Sequence, residues 1–194
     1  MDKLLFITRD IPGSLKCNDG GRSVLFCKSF AKVASVYLLP MNYDWGDDSS
    51  EVAIRNLGIR FVFPRQNSSQ YIVKFLLENE IDTVVFSQYA ELRCFYRLLP
   101  FFKNVVVDEM DAFIGKEYST TKTKNSYYKY VDIFVTALRR SSIALKKYFP
   151  DKRIVVIPAV NESKAKKKIK AKKKIYDQVI EKKIQKLFLE LYQK

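Results

Sequence analysis

Short runs of β-branched and aromatic residues alternate with longer segments of helical spacing, and this alternation limits the fold more than any other feature of the chain. Leu4 to Thr8 reads as a first strand and Arg22 to Val33 as a helix, with Val24, Leu25, Phe26, Phe30 and Ala31 on its apolar side. Strands follow at Ser35–Leu39, Arg60–Phe63, Thr83–Phe86, Asn104–Val107, Asp132–Thr136 and Arg153–Pro158. Helices are expected near Glu51–Leu57, over Ser68–Glu78 with Ser68 as cap, over Ala90–Leu99 ended by Pro100, and over Ser141–Tyr148. The strands are short and lack polar alternation, as strands do when helices cover both faces of a parallel sheet. The pattern predicts an α/β domain, Rossmann-like and doubly wound, with a mainly parallel sheet of about seven strands.

The character of the chain changes after Pro158. Residues 1–161 form the expected domain, 162–174 a lysine-rich linker, and 175–194 an amphipathic helix carrying Ile175, Val179, Ile180, Ile184, Leu187, Phe188, Leu191 and Tyr192 at helical intervals. The formal charge is +14, and the segment from Asn161 to Lys194, with 12 Lys against 4 acidic residues, carries more than half of it. The globular part is only mildly basic, which weighs against nucleic acid as a partner.

Several chemistries are excluded by composition. The chain has no histidine, which removes His-containing triads, His-ligated zinc and imidazole bases. Cys17, Cys27 and Cys94 lack metal-type spacing, so no metal site is expected, and the thiols read as buried or inert in a reducing compartment. No run of about 18 uncharged apolar residues suits a membrane span. The apolar run Leu4–Ile7 is too short for a secretory segment, so a cytoplasmic protein is expected, with peripheral attachment at the inner face of the membrane left open.

The loop after the first strand is the most informative segment. It holds Gly13, Gly20 and Gly21, the last two where a helix begins with Arg22. Backbone N–H groups at such a helix start suit a phosphate, although glycine used only for a tight turn explains the pair as well. The spacing is not the Gly-x-Gly-x-x-Gly fingerprint of dinucleotide sites. A second cluster, Asp108, Glu109 and Asp111, follows the fifth strand, where open α/β sheets bind ligands. These acids fit either acceptor-hydroxyl chemistry or simple helix capping, and Arg22 either a phosphate, these carboxylates or a structural role. Tyr118, Tyr127, Tyr128 and Tyr130 fit packing against the sheet or stacking on sugar rings, and Arg139-Arg140 a solvated helix start.

Four ordered blocks resemble the N-terminal, acceptor-side domain of GT-B glycosyltransferases of the family-4 type. They are Leu4–Pro12 with Gly20-Gly21-Arg22; Asp82–Ser87; Val105–Asp111; and Val131–Thr136 with Ser141 and Ile154–Asn161. The resemblance covers roughly residues 3–161. It implies that Gly20, Gly21, Arg22 and Ser87 bind substrate, and that Asp108, Glu109 or Asp111 orients or deprotonates an acceptor hydroxyl. It also implies a nucleotide-sugar donor; no other cofactor is expected. The chain departs from the family in two ways: Met110 stands where a histidine is common, and no donor-binding domain with its spaced glutamate pair follows Asn161. The expectation is therefore a half-protein that is inactive alone or works with a donor-binding subunit.

The terminal helix is left with three surfaces to cover its apolar face. The resemblance implies packing on its own domain, since the last helix of such enzymes crosses back. A partner or an anionic membrane reached through 162–194 is the second, and would make the chain a non-enzymatic adaptor; a nucleic-acid patch is the third. A different Rossmann-like, nucleotide-dependent enzyme is a further alternative.

Overall fold

The computed structural model describes residues 2–13, 21–42, 48–62, 69–109, 127–158 and 170–192. Strands β1 (Lys3–Thr8), β2 (Ser35–Pro40), β3 (Arg60–Phe61), β4 (Thr83–Phe86), β5 (Asn104–Asp108), β6 (Ile133–Thr136) and β7 (Arg153–Val156) form one sheet in the order β3-β2-β1-β4-β5-β6-β7. Every pairing is parallel, and Phe6 stands between Leu38 of β2 and Val85 of β4. The expected doubly wound α/β fold is the observed one.

Alternation along each strand divides the core into two layers. Leu4, Phe6, Val36, Leu38, Val85, Val106, Ile133 and Val135 point to one face. There they meet α1 (Arg22–Phe30), α2 (Asp48–Arg55) and the terminal helix α6 (Lys170–Tyr192). Leu5, Ile7, Tyr37, Leu39, Val84, Phe86, Val105, Val107 and Phe134 point to the other. That face is covered by α3 (Ser69–Glu78), α4 (Tyr89–Cys94), a 3-10 helix (Tyr96–Phe101) and α5 (Arg139–Tyr148).

The terminal helix belongs to the domain's own core. Ile180, Ile184, Leu187, Phe188 and Leu191 are buried among Leu25, Phe26 and Phe30 of α1, and the Phe30 and Phe188 rings meet edge-on at 4.4 Å. Each such side chain removed from water contributes about 1.5–3 kcal/mol, so this contact is a large part of the domain's stability. Ion pairs frame it: Lys32 with Glu181, and Arg153 with Glu190. Of the three surfaces left open by the sequence, the domain itself covers the apolar face.

Several boundaries differ from the expected ones. Helix α6 starts at Lys170 rather than 175, because lysine is a good helix former and the tract needs no apolar face to continue a turn. Helix α1 ends at Phe30, short of Val33, in a turn over 31–33. The helix expected over 90–99 divides into α4 and the 3-10 helix, with Pro100 inside the second. A continuous α-helix would set the proline ring against the Tyr96 carbonyl, and the tighter turn avoids this while burying Leu98 and Leu99. Helix α5 starts at Arg139, with Arg139 and Arg140 exposed as expected. Ser68, Phe63, Tyr118, Cys17 and the tract 164–169 lie outside the described residues. No helix among the described residues is long and apolar enough to cross a membrane.

Candidate functional site at the carboxyl edge of the sheet

The strand order reverses between β1 and β4, and the chain leaves these neighbours in opposite directions. From β1 it enters α1 on one face; from β4 it enters α4 on the other. The divergence makes the carboxyl ends of the two strands a topological switch point, where open α/β sheets form a ligand-binding crevice. Main-chain bonds hold its walls: Ser87 N–H donates to Ile7 O at 2.9 Å, and Asn42 N–H to Arg9 O at 2.7 Å.

On the α1 side, Gly21 is the N-cap with φ 80° and ψ 9°, a left-handed conformation that glycine adopts without strain. Its carbonyl accepts the first helical bond from Leu25 N–H. A Cβ at Gly21 would meet no atom within 4 Å, so the glycine serves the turn rather than a close approach within the domain. Gly13, at φ 85°, differs: a Cβ there would stand 3.2 Å from Val24 of α1.

Arg22 does not face open solvent. Its guanidinium makes a bidentate pair with Asp108, Nε to Oδ2 at 2.6 Å and Nη2 to Oδ1 at 2.8 Å, and Nη1 donates to Ile157 O at 2.6 Å. Both residues are buried, and Phe26 lies under the guanidinium at 5.2 Å. The pair ties the start of α1 to the ends of β5 and β7, with charge-assisted bonds that offset much of the desolvation. Glu109, on the opposite face, accepts a hydrogen bond from the hydroxyl of Tyr128, which is wholly buried against Phe134 and Phe149. Its own N–H donates to Val135 O. Tyr128 is thus a packing residue, as one reading of the tyrosine cluster expects.

The substrate-binding and catalytic candidates fall into three groups. Arg22 and Asp108 are brought together, on each other. Gly21 and Ser87 stand on the two walls of the crevice, and Glu109 on the far side of β5 from Asp108. Gly20 and Asp111 lie outside the described residues. Among the described residues no cluster of three Cys, Asp or Glu side chains is placed to hold a metal ion. Cys27 is buried in the core, and Cys94 is exposed as a free thiol.

Glu91 was missed by the sequence reading, which began the helix at Ala90 and so gave this position no special place. It sits in the first turn of α4, on the β4 side of the crevice, and is 1% exposed. Its Oε2 is buried with no hydrogen-bond partner. Burial pushes the carboxyl above its ordinary 4.5, against smaller opposing effects of the backbone N–H groups of Glu91 and Gln88 and the charge of Arg9; Asp10 adds to the rise. Arg9 and Asp10, which leave β1 across the crevice, face it electrostatically. Asp10 also accepts from Asn42 Nδ2 at 3.3 Å, and Thr8 Oγ1 donates to Asp10 O at 2.8 Å. The signal available in the sequence was Gln88-x-x-Glu91 directly after a strand, the spacing by which a glutamate reaches back to a helix start.

A separate groove of about 500 Å³ runs between α3 and the 3-10 helix, lined by Val73, Lys74, Leu77, Glu78, Arg97 and Leu98. Lys74 and Glu78 pair there at 3.6 Å, and nothing in it resembles a reactive constellation. A scan against protein-family models finds no match to the chain, and a search of the curated proteins finds none either.

Proposed function

We propose that the chain is the acceptor-side half of a GT-B glycosyltransferase of the family-4 type, needing a donor-binding partner for sugar transfer. The observation that supports this reading best is the packing of α6 on its own domain, against α1, since the resemblance implies a last helix that crosses back onto that domain. Only residues 157–169 join β7 to α6, too few to hold a second domain between them. In this reading Gly21, at the N-terminus of α1, faces the donor diphosphate, and the crevice between β1 and β4 takes the acceptor. The protein acts in the cytosol, a reducing compartment that suits the exposed free thiol of Cys94.

The site roles proposed for Arg22 and Asp108 become indirect. They fix the crevice wall through each other, while Glu109 is held by Tyr128. Transfer assays and nucleotide-sugar calorimetry on the purified chain test the reading. No turnover alone and weak nucleotide binding are expected; robust turnover by the pure monomer overturns it.

A second reading, docking to an anionic surface, is favoured by one observation. Lys182, Lys183 and Lys186 stand exposed on the outer side of α6 while its apolar side is buried. Any such docking is electrostatic and salt-sensitive rather than apolar insertion. Reversing the three lysines to glutamate and measuring sedimentation with anionic vesicles tests it without uncovering the core, as deletion of the helix would.

A further inference from the structure

A folded chain has little reason to bury a carboxyl oxygen that it leaves without a hydrogen bond. Such an oxygen loses its water and gains nothing, and an apolar side chain of the same size at that position serves stability better. Glu91 is such a case; among the described residues Asp177 and Tyr192 of α6 also bury an unpartnered polar atom, but Glu91 is the one that follows the carboxyl end of a strand. The other two carboxyls buried there, Asp108 and Glu109, have partners on the same edge. Helix α4 does not need the second oxygen: one carboxyl oxygen suffices to reach back to the N–H groups at the helix start.

We propose that Glu91 is a ligand-binding residue, and that its Oε2 bonds a hydroxyl of a sugar acceptor held in the crevice between β1 and β4. The inference rests on the acceptor-side reading of the chain and adds to it the residue that contacts the acceptor. Position and chemistry both lead there. Glu91 stands in the first turn of α4, just after β4, and feels the charges of Arg9 and Asp10, which follow β1. Sugar hydroxyls both donate and accept. A carboxyl answers either way, and the guanidinium of Arg9 and the carboxylate of Asp10 supply one donor and one acceptor at the rim. Burial raises the proton affinity of the Glu91 carboxyl, and Oε2, which has no partner within the protein, is open to a hydroxyl. The Arg9 side chain is 68% exposed and Asn42 is exposed too, so both have room to rotate toward a ligand. Leu92, the next residue, turns into the core and anchors α4 while this happens.

The test uses the full chain, labelled with carbon-13 at the glutamate side-chain carboxyls, and methyl glucoside, methyl mannoside, methyl galactoside and methyl N-acetylglucosaminide as probes. Saturable binding of at least one glycoside, with a concentration-dependent shift of the Glu91 carboxyl resonance, is expected. Glu91→Gln, which keeps an acceptor for the helix start, should weaken that binding about tenfold. Glu91→Leu should abolish it without lowering the melting temperature. Should the leucine variant fail to fold, the glutamine variant decides. Binding that persists in both variants with the Glu91 resonance unmoved overturns the assignment of Glu91 and leaves the acceptor-side reading standing. Failure of all four glycosides to bind the wild-type chain overturns the ligand class and that reading together.

Discussion

Asp108 and Glu91 end up at the carboxyl edge of adjacent strands, β5 and β4, and both are withdrawn from water, yet their surroundings treat them in opposite ways. Asp108 has both oxygens on Arg22, and Nη1 of the guanidinium donates to the Ile157 carbonyl as well. Glu91 keeps one oxygen with no partner, and burial raises its proton affinity. The first arrangement ties three elements of one wall together, α1, β5 and β7. The second leaves a polar atom unsatisfied in the first turn of α4. The difference separates a carboxylate satisfied within the protein from one that is not.

The comparison breaks most visibly at the ion pair. Arg22→Ala takes the guanidinium from a buried carboxylate and should cost about 3–5 kcal/mol in urea unfolding. The double variant Arg22→Met with Asp108→Leu should recover much of that loss, short of the wild type because the Ile157 carbonyl loses its donor. A single-variant loss below about 1 kcal/mol would mean that the pair is solvated and the contrast with Glu91 is false. Next in size, Glu91→Leu should leave stability unchanged or raise it by about 1 kcal/mol, the removal of an unsatisfied oxygen offsetting the lost bonds at the start of α4. A loss as large as that at Asp108 would make Glu91 structural after all.

Gly21→Ala should cost about 1 kcal/mol, through its left-handed φ alone, since no neighbour crowds the added carbon. Thermal unfolding of that variant tests whether the glycine is conformational; a markedly larger loss would point to a close contact. The smallest effect is on pH dependence. Because Glu91 binds its proton more tightly folded than unfolded, its contribution is complete below its ordinary 4.5 and is lost as pH rises through the raised value. Urea midpoints of the wild type should therefore fall relative to those of Glu91→Gln as pH climbs above 4.5. Parallel curves would show that the carboxyl ionises as it does in the unfolded chain.

Much of the architecture was legible because strand and helix periods are local. Each of the seven apolar runs became a strand, and the absence of alternation within them announced two covered faces. The misjudged boundaries arose where distant packing intervened, as at the 3-10 helix that buries Leu98 and Leu99 around Pro100. The candidate site was legible in outline: Gly21, Arg22, Asp108 and Ser87 do converge on the carboxyl edge. Their division of labour was not, since 86 residues separate Arg22 from Asp108 and nothing in either segment states that they meet. Glu91 went unnoticed because an isolated glutamate on a short helix looks solvated until its surroundings are known.

By itself the sequence determined the α/β class, the mainly parallel sheet and the amphipathic character of the last helix, all of which follow from residue spacing and backbone preference. Only the tertiary structure decided what that helix covers, which carboxylate Arg22 neutralises and which carboxyl oxygen is left without a partner. Those outcomes depend on burial and on pairings between distant segments, and the free energy of a charged or apolar group is set by what surrounds it in space rather than by its neighbours along the chain.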